Sequence, residues 1–318
     1  MTRLAAIDVG TNSIKMTVAV VEDEGRIDII TRQRYVSQLG RDHGEDGSLD
    51  QDAMERTLGD LIKLVDQSAS LEVDQIRAVA TQVVRDAPNR DVFIEQVHAC
   101  TGLELEVLEG EEEAGLSWLA ICHEHEVGEG ASVLLDVGGG SMECLHAQGE
   151  RIKQVVSLPL GALRLTQAFK LADTIDPDRW QSLVVHIKSE LKAGLPSPTE
   201  PVYAWGVGGT LESLVSLDRI GLGLDQEDEP VAPGEDWAFT GLALDRIEVV
   251  VAELCSMSLA DRIEVTGLES RRAAIIPAGA IVALETLRSL GVAQGCCITR
   301  QCLRDGLLLR MAGLGGDS

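Results

Sequence analysis

The sequence predicts an α/β protein built from two similar half-domains. Two short apolar runs, residues 4–9 and 132–137, look like buried strands. Each ends in Asp-Val, and a glycine and a turn of small polar residues follow. Their aspartates, Asp8 and Asp136, lie 128 residues apart (136 minus 8), as an internal duplication would place them. A related glycine turn spans residues 205–210. Strands alternate with helices along the chain, which is typical of mixed sheets covered by helices.

The first half predicts three strands followed by a helix–strand alternation. The strands are expected over residues 4–9, 14–21 and 26–35. Residues 48–52, Ser-Leu-Asp-Gln-Asp, begin an amphipathic helix whose apolar side chains recur at helical spacing. The later elements are strands at 76–80 and 105–108 and helices at 89–101 and 111–123.

The second half repeats this pattern from residue 132. Its strands are expected at 132–137, 142–147 and 151–158, its helices at 161–172 and 178–195. After an acidic surface loop at 222–234, the remainder predicts helices at 243–256, 271–291 and 303–313. The expected units are residues 1–125 and 126–298, with the C-terminal helix in residues 299–318 completing the first unit.

Composition indicates an ordinary globular protein. The chain has 318 residues, 45 % of them hydrophobic and 25 % charged, and no apolar run approaches the ~20 residues of a membrane helix. The first strand follows Met1-Thr-Arg-Leu with no room for a secretory signal. The seven cysteines lack metal-ligand spacing. We therefore expect reduced thiols and a cytoplasmic location, with no membrane partner.

The net charge of −25 restricts the possible ligands. It argues against nucleic acid as a partner, because sequence-independent binding requires a basic face. The same field repels polyanions, so a phosphate substrate requires a local cluster of arginines and a divalent cation.

The glycine turns predict phosphate chemistry. Glycine lets backbone amides approach an anion closely, and a carboxylate at the end of the preceding strand can hold a hard cation against it. Two copies of this arrangement predict two half-domains that face each other across a phosphate-binding cleft.

Eight segments give the chain a resemblance to a known family. They are AAIDVGTNSIKM, VATQVVRDAPN, EVLEGEEEAGL, LLDVGGGSMECL, SLPLGALRLT, GVGGTLESL, GLESRRAAIIPAGAIVALETL and CLRDGLLLR. In this order they resemble the exopolyphosphatase and guanosine pentaphosphate phosphohydrolase family of the sugar kinase/actin/Hsp70 superfamily. The resemblance implies two actin-like (ribonuclease H-like) lobes with an interdomain cleft, in the short form without a helical C-terminal region.

The resemblance also implies roles for individual residues. Glu113 is expected to be the general base that activates water, and Asp8, Asp136 and Glu143 are expected to hold Mg²⁺ or Mn²⁺. The remaining candidates are expected to bind phosphate or the substrate: Thr11, Asn12, Ser13, Arg85, Gly138, Gly139, Gly140, Ser141, Arg164, Gly208, Gly209, Thr210 and Arg272.

The expected activity is release of terminal phosphate from inorganic polyphosphate, with short chains preferred, by a homodimer. Hydrolysis of guanosine pentaphosphate is the close alternative, since both activities share these motifs. A non-catalytic sensor of polyphosphate or nucleotide is an alternative of another class, and intact Glu113, Asp8, Asp136 and Glu143 argue against it. A kinase or chaperone of the same superfamily fits less well, because the chain carries the Gly-Glu-Glu-Glu-Ala segment and is too short for an added substrate domain.

Overall fold

The computed structural model describes residues 1–22, 26–41, 46–195, 202–220, 239–292 and 295–314. The chain divides into two compact units, one formed by Met1–His125 with Gln301–Ser318 and the other by Glu126–Arg300. The acidic loop expected at residues 222–234 lies outside the described ranges.

The strands and helices follow one another along both units. The strands are β1 (Thr2–Val9), β2 (Ile14–Val21), β3 (Ile27–Tyr35), β4 (Gln75–Ala80), β5 (Leu105–Val107), β6 (Ala131–Val137), β7 (Met142–Gln148), β8 (Arg151–Leu158), β9 (Tyr203–Val207), β10 (Phe239–Leu242) and β11 (Cys296–Thr299). The helices are α1 (Gln51–Ser70), α2 (Gln82–Arg85), α3 (Arg90–Thr101), α4 (Gly110–Glu124), α5 (Ala162–Phe169), α6 (Pro177–Gly194), α7 (Gly208–Ile220), α8 (Leu244–Ser256), α9 (Leu259–Ile263), α10 (Ile276–Ser289) and α11 (Leu303–Met311).

The two sheets share one strand order. The first runs β3-β2-β1-β4-β5, with β1, β2 and β3 antiparallel and β4 and β5 parallel to β1. The second runs β8-β7-β6-β9-β11, with the same directions, and adds β10 antiparallel at its edge. This is the ribonuclease H-like order of actin-like units, so the predicted α/β fold class is confirmed.

The first sheet is covered on both faces because side chains alternate along β1. Ile7 packs against the apolar faces of α1 and α3. Ala6, on the opposite face, packs with Leu116 of α4 and Leu307 of α11. The C-terminal helix therefore belongs to the packing of the first sheet.

The second unit is built around α10, which is buried along nearly its whole length. It packs with α5, α6, α7 and α8, and the apolar side chains of β6 complete the same core. No helix within the described ranges combines the length and the hydropathy that crossing a bilayer requires.

Several element boundaries differ from the sequence predictions. The helix expected from residue 271 begins as a single 3₁₀ turn, Ser270–Arg272, and α10 starts only at Ile276 with Pro277 in its first turn. The helix expected to end at residue 172 stops at Phe169, because Lys170 takes a left-handed conformation (φ 54°). β10 and β11 were not predicted, since a four-residue run carries little periodicity.

Candidate active site

The two glycine turns that follow β1 and β6 have the same backbone geometry. The Gly10 amide donates to the Ser13 carbonyl at 3.1 Å, and the Gly138 amide donates to the Ser141 carbonyl at 3.0 Å. Each turn joins two antiparallel strands and follows an aspartate one residue before the strand end. The duplication read from the sequence is thus present in the backbone hydrogen bonds.

The two turns differ in the residue paired with the aspartate. Asp136 of β6 lies opposite Glu143 of β7, whereas Asp8 of β1 lies opposite Lys15 of β2. The register therefore pairs two acids at one turn, and an acid with a lysine at the other. Sequence reasoning missed Lys15, although it follows Asp8 by seven residues, as Glu143 follows Asp136.

The first turn holds buried polar atoms that lack a hydrogen-bond partner within the described structure. They are Oδ1 of Asp8 and both amide atoms of Asn12. Thr11 and Ser13 are also buried. Buried polar groups are normally paired, so these atoms fit a hydrated cation and phosphate oxygens as partners.

The backbone of this turn is fixed from outside. Gly40 donates its amide to the Thr11 carbonyl at 2.8 Å, and Gln38 donates to the Asn12 carbonyl at 3.1 Å. A side chain at position 40 would collide with the Thr11 methyl group. The turn can therefore keep its unpaired polar atoms in place without help from a ligand.

The second turn is held by the N-terminus of α5. The Ala162 amide donates to the Gly138 carbonyl and the Leu163 amide to the Gly139 carbonyl, each at 2.9 Å. In addition, Nε of Arg164 donates to the Gly140 carbonyl at 3.0 Å. The free donors of a helix N-terminus thus bind protein carbonyls here instead of an anion.

The orientation of these carbonyls determines where the turn's amides point. In a planar trans peptide the N–H points opposite to the C=O. Since the carbonyls of Gly138, Gly139 and Gly140 face α5 or Arg164, the amides of Gly139, Gly140 and Ser141 face the other way. The three amides are therefore directed away from α5, where they can donate to phosphate oxygens. The Gly138 amide, predicted to belong to this set, is instead used inside the turn.

The two acids of the second turn are held by neighbouring elements. Glu143 is buried, and its Oε1 accepts a hydrogen bond from the Ser157 hydroxyl of β8 at 2.8 Å. The Asp136 carboxylate lies against Gly208. A side chain at position 208 would collide with this carboxylate, and the backbone φ of +82° there also favours glycine. The Thr210 hydroxyl donates to the Val137 carbonyl at 2.8 Å, which fixes the start of α7 to the end of β6.

Asp136 and Glu143 are a pair, and they fit an ion that keeps several of its waters. No set of three or more His, Cys, Asp or Glu side chains is arranged as a metal site within the ranges that the structure describes. Mg²⁺ is commonly held by one or two carboxylates with waters and substrate phosphates completing its shell. Two carboxylates therefore suit Mg²⁺ or Mn²⁺, because these ions do not need a full set of protein ligands.

Arg164 and Arg272 differ in exposure. Arg164 is exposed, with its Nε bound to the glycine turn as described above. Arg272 is buried, and its guanidinium lies directly on the backbone of Gly209. Its Nε is 3.6 Å from the Glu269 carboxylate. Both arginines thus border the turns of the second unit.

Arg85 and Glu113 form a buried ion pair in the first unit. Nη1 of Arg85 lies 2.6 Å from Oε1 of Glu113 and donates to the Leu108 carbonyl at 2.5 Å. Burial lowers the pKa of Arg85, but the hydrogen bond and charge of Glu113 outweigh it and leave the pKa raised. The sequence predicted that Arg85 binds phosphate; in the structure its guanidinium binds the Glu113 carboxylate.

Glu113 differs from its acidic neighbours on α4. Glu111 and Glu112 are exposed, whereas Glu113 is buried. The Glu112 carboxylate accepts from the Glu109 amide at 3.0 Å and caps the helix. Glu113 is therefore the one of these three acids that is both buried and held by an arginine.

The sequence reasoning missed one buried arginine, which lies near Asp8. Arg304, at the start of α11, is buried with Nη1 3.9 Å from Oδ2 of Asp8. The Cys-Leu-Arg-Asp-Gly segment that carries it matches the family loosely, and nothing in its pattern links it to β1.

Buried thiols do not supply a nucleophile. Burial raises the pKa of Cys144 to about 12, and it raises the pKa of Cys255 to about 12 as well. Such thiols remain protonated near neutral pH, whereas the reactive form is the thiolate.

The chain is similar to known proteins along almost its whole length. A sequence profile of the Ppx/GppA phosphatase family matches residues 17–314. The chain is 30 % identical to "Exopolyphosphatase 1" of Mycobacterium leprae, over 97 % of this chain and 89 % of that protein. It is 26 % identical to "Guanosine-5'-triphosphate,3'-diphosphate pyrophosphatase" of Vibrio parahaemolyticus, over 96 % of this chain and 59 % of that protein.

A solved structure of the Aquifex aeolicus member of this family has a TM-score of 0.79 with this chain. It is 27 % identical, and the match covers 100 % of this chain and 99 % of that one. Profile, relatives and structure point to one assignment: the chain belongs to the Ppx/GppA phosphatase family.

Proposed function

We propose that this chain is a metal-dependent phosphohydrolase that releases terminal phosphate from inorganic polyphosphate. The observation that carries the proposal is the second glycine turn, where three backbone amides point away from α5 next to the carboxylates of Asp136 and Glu143. This combination suits a cation-bound phosphate.

The reaction requires a base, donors for phosphate and a means of balancing charge. We assign Glu113 as the base that accepts a proton from the attacking water, with Arg85 fixing its orientation. The amides of Gly139, Gly140 and Ser141 donate to oxygens of the transferring group, where charge accumulates.

Asp136 and Glu143, together with Asp8, are the residues that would hold Mg²⁺ or Mn²⁺. When bound, such a cation neutralises charge on phosphate oxygens. The chain's own contribution is to keep the acids in place: Ser157 binds Glu143, and the Asp136 carboxylate rests on Gly208.

We favour polyphosphate over guanosine pentaphosphate as the substrate because the match to the relative named for polyphosphate covers more of that relative's length. The mycobacterial relative named for exopolyphosphatase activity matches along most of both chains, whereas the chain spans 59 % of the Vibrio relative named for the nucleotide. Guanosine pentaphosphate remains the second candidate, because the turns, Glu113 and the buried acids serve either terminal phosphate.

Short chains should be preferred among polyphosphates. The net charge of −25 repels phosphates that extend beyond the site, and salt or Mg²⁺ should weaken this repulsion. We also propose a cytoplasmic homodimer, as the sequence predicted.

The test is phosphate release with Mg²⁺ from polyphosphates of several lengths, guanosine pentaphosphate and ATP, side by side at fixed salt. The expected result is release from polyphosphate that stops when a chelator is added, with the largest kcat/KM for short chains. Faster release from guanosine pentaphosphate would support the second candidate. A steady rise of kcat/KM toward chains of hundreds of phosphates would contradict the length preference, and binding without release would indicate a sensor.

A further inference from the structure

The C-terminal helix places a buried arginine beside Asp8 of β1. Arg304 is the second residue of α11 and is only 8 % exposed. Its Nε donates to the Thr17 hydroxyl of β2 at 2.9 Å, and its Nη1 lies 3.9 Å from Oδ2 of Asp8. A residue almost 300 positions away in sequence thus contacts the surroundings of the first glycine turn.

The two carboxylate oxygens of Asp8 have different surroundings. Oδ2 faces Arg304, whereas Oδ1 is buried and has no hydrogen-bond partner within the described structure. A methyl group placed on Gly10 would lie 3.8 Å from Oδ1 and 3.9 Å from the Thr81 hydroxyl, so this oxygen faces the turn. One oxygen is therefore next to a fixed cation, and the other faces the first glycine turn.

The start of α11 is built to hold Arg304 in this position. Asp305 accepts from Arg32 at 2.7 Å and from the Cys302 amide at 3.0 Å, which fixes the first turn of the helix. A side chain at Gly306 would collide with the Leu116 backbone, so α11 packs closely on α4. Because Asp305 is bound to these groups, Asp8 is the nearby carboxylate that faces Nη1 of Arg304.

Arg304 also remains charged in this environment. A guanidinium keeps its proton throughout the physiological pH range. A buried guanidinium requires a compensating charge, and a buried carboxylate gains most from a fixed one.

We propose that Arg304 is a positioning residue for Asp8: it holds the carboxylate through Oδ2 and thereby presents Oδ1 to the cation and phosphate. The catalytic part of this inference rests on the proposed function, whereas the contact itself does not. Nothing in the family resemblance used above assigns a role to this arginine.

Thermal unfolding tests the contact without substrate or metal. Asp8→Asn, Arg304→Gln and the double variant are melted in the presence of chelator. Each single change leaves one buried charge uncompensated, so the double variant should melt about 2 °C or more above the temperature that the two single shifts predict.

Asp8→Asn combined with Arg310→Gln is the matched control, because Arg310 lies exposed in the last turn of the same helix and its shift should add to that of Asp8→Asn. Additive shifts in both pairs would overturn the proposal. If Arg304→Gln does not fold, Arg304→Lys replaces it in the double-mutant comparison. The difference between the double variant's melting temperature and the sum of the single shifts should then be smaller, because lysine keeps the charge but loses part of the contact.

Steady-state kinetics tests the positioning role. Arg304→Gln should lower kcat at saturating Mg²⁺ at least tenfold while KM changes less than threefold, and Arg304→Lys should recover part of the loss. Arg310→Gln, at an exposed position of the same helix, should keep kcat near the wild-type value. An equal fall in kcat for Arg310→Gln would mean that α11 acts only through its packing, and it would overturn the role of Arg304.

The two measurements separate the possible failures. If the shifts in melting temperature of Asp8→Asn and Arg304→Gln simply add in the double variant, the Arg304–Asp8 contact is rejected, whichever substrate the enzyme hydrolyses. Inactivity of the wild-type protein on every phosphate substrate rejects the proposed function, and the melting cycle still decides the contact.

Discussion

Arg85 holds Glu113, with Nη1 2.6 Å from Oε1 in a pair of which little is exposed. The arginine lies at the end of α2 and the glutamate in the first turn of α4, so the helices that follow β4 and β5 meet at this contact. A general base needs a fixed orientation as well as basicity, and this ion pair supplies the orientation.

Substituting Arg85 should therefore affect turnover more than substrate binding. Arg85→Gln should lower kcat at least tenfold, and Arg85→Lys should retain more activity because it keeps the charge but loses the planar donor geometry. Arg77→Gln is the matched control, since Arg77 forms a 2.7 Å pair with Glu106 that is well exposed and contributes about 1 kcal/mol or less. A rise in KM with unchanged kcat would instead assign Arg85 to substrate binding.

Gly161 should tolerate no side chain. A Cβ there would collide with the backbone of Gly139 and Gly140, so Gly161→Ala must displace the second turn or α5. We expect about 1–3 kcal/mol lower stability, by analogy with overpacked cores, and at least a tenfold loss in kcat/KM. Gly59→Ala is the control: apart from the adjoining backbone of α1, no atom of the described residues lies within 4 Å of its Cβ position. Alanine there should stabilise the helix by up to about 1 kcal/mol. Equal activity of the two variants would show that the turn does not bind substrate.

Ser157 should matter through Glu143. Ser157→Ala removes the hydroxyl that donates to Oε1, a bond to a charged group contributing roughly 1.5–3 kcal/mol. The half-saturating Mg²⁺ concentration for phosphate release should rise by about tenfold, with kcat at saturating Mg²⁺ less affected. Ser256→Ala, which removes an exposed bond to the Glu253 carbonyl, is the control and should leave Mg²⁺ dependence unchanged. An unchanged Mg²⁺ requirement in Ser157→Ala would exclude Glu143 from the cation site.

The fold could be predicted further than the site. Strand–Asp–Gly repeats 128 residues apart carry the duplication, and the alternation of apolar residues identifies most strands, as in residues 14–21, which form β2 as predicted. β11 was not predicted, because it forms a strand by pairing with β9, which is far from it in the sequence. Local patterns do not encode such pairings.

The contacts of the site depend on distances that the sequence does not contain. The presence of Arg85, Glu113 and Arg164 was evident, but not that Arg85 binds Glu113 or that Arg164 binds the Gly140 carbonyl. Lys15 could have been found by carrying the spacing of Asp136 and Glu143 back to the first repeat. Arg304 had no such signal, because its approach to Asp8 follows from the packing of α11 on the first sheet.

The most direct test of the account compares Glu113→Gln with Glu111→Gln in phosphate release from polyphosphate, alongside polyphosphate binding measured separately. Both residues lie in the first turn of α4, but Glu113 is buried against Arg85 and Glu111 is exposed. Losing a positioned base costs roughly 10²–10⁴-fold in rate, so Glu113→Gln should lose most turnover and still bind polyphosphate, whereas Glu111→Gln should resemble the wild type. Near-normal turnover in Glu113→Gln would contradict the account, because another group would then activate the water.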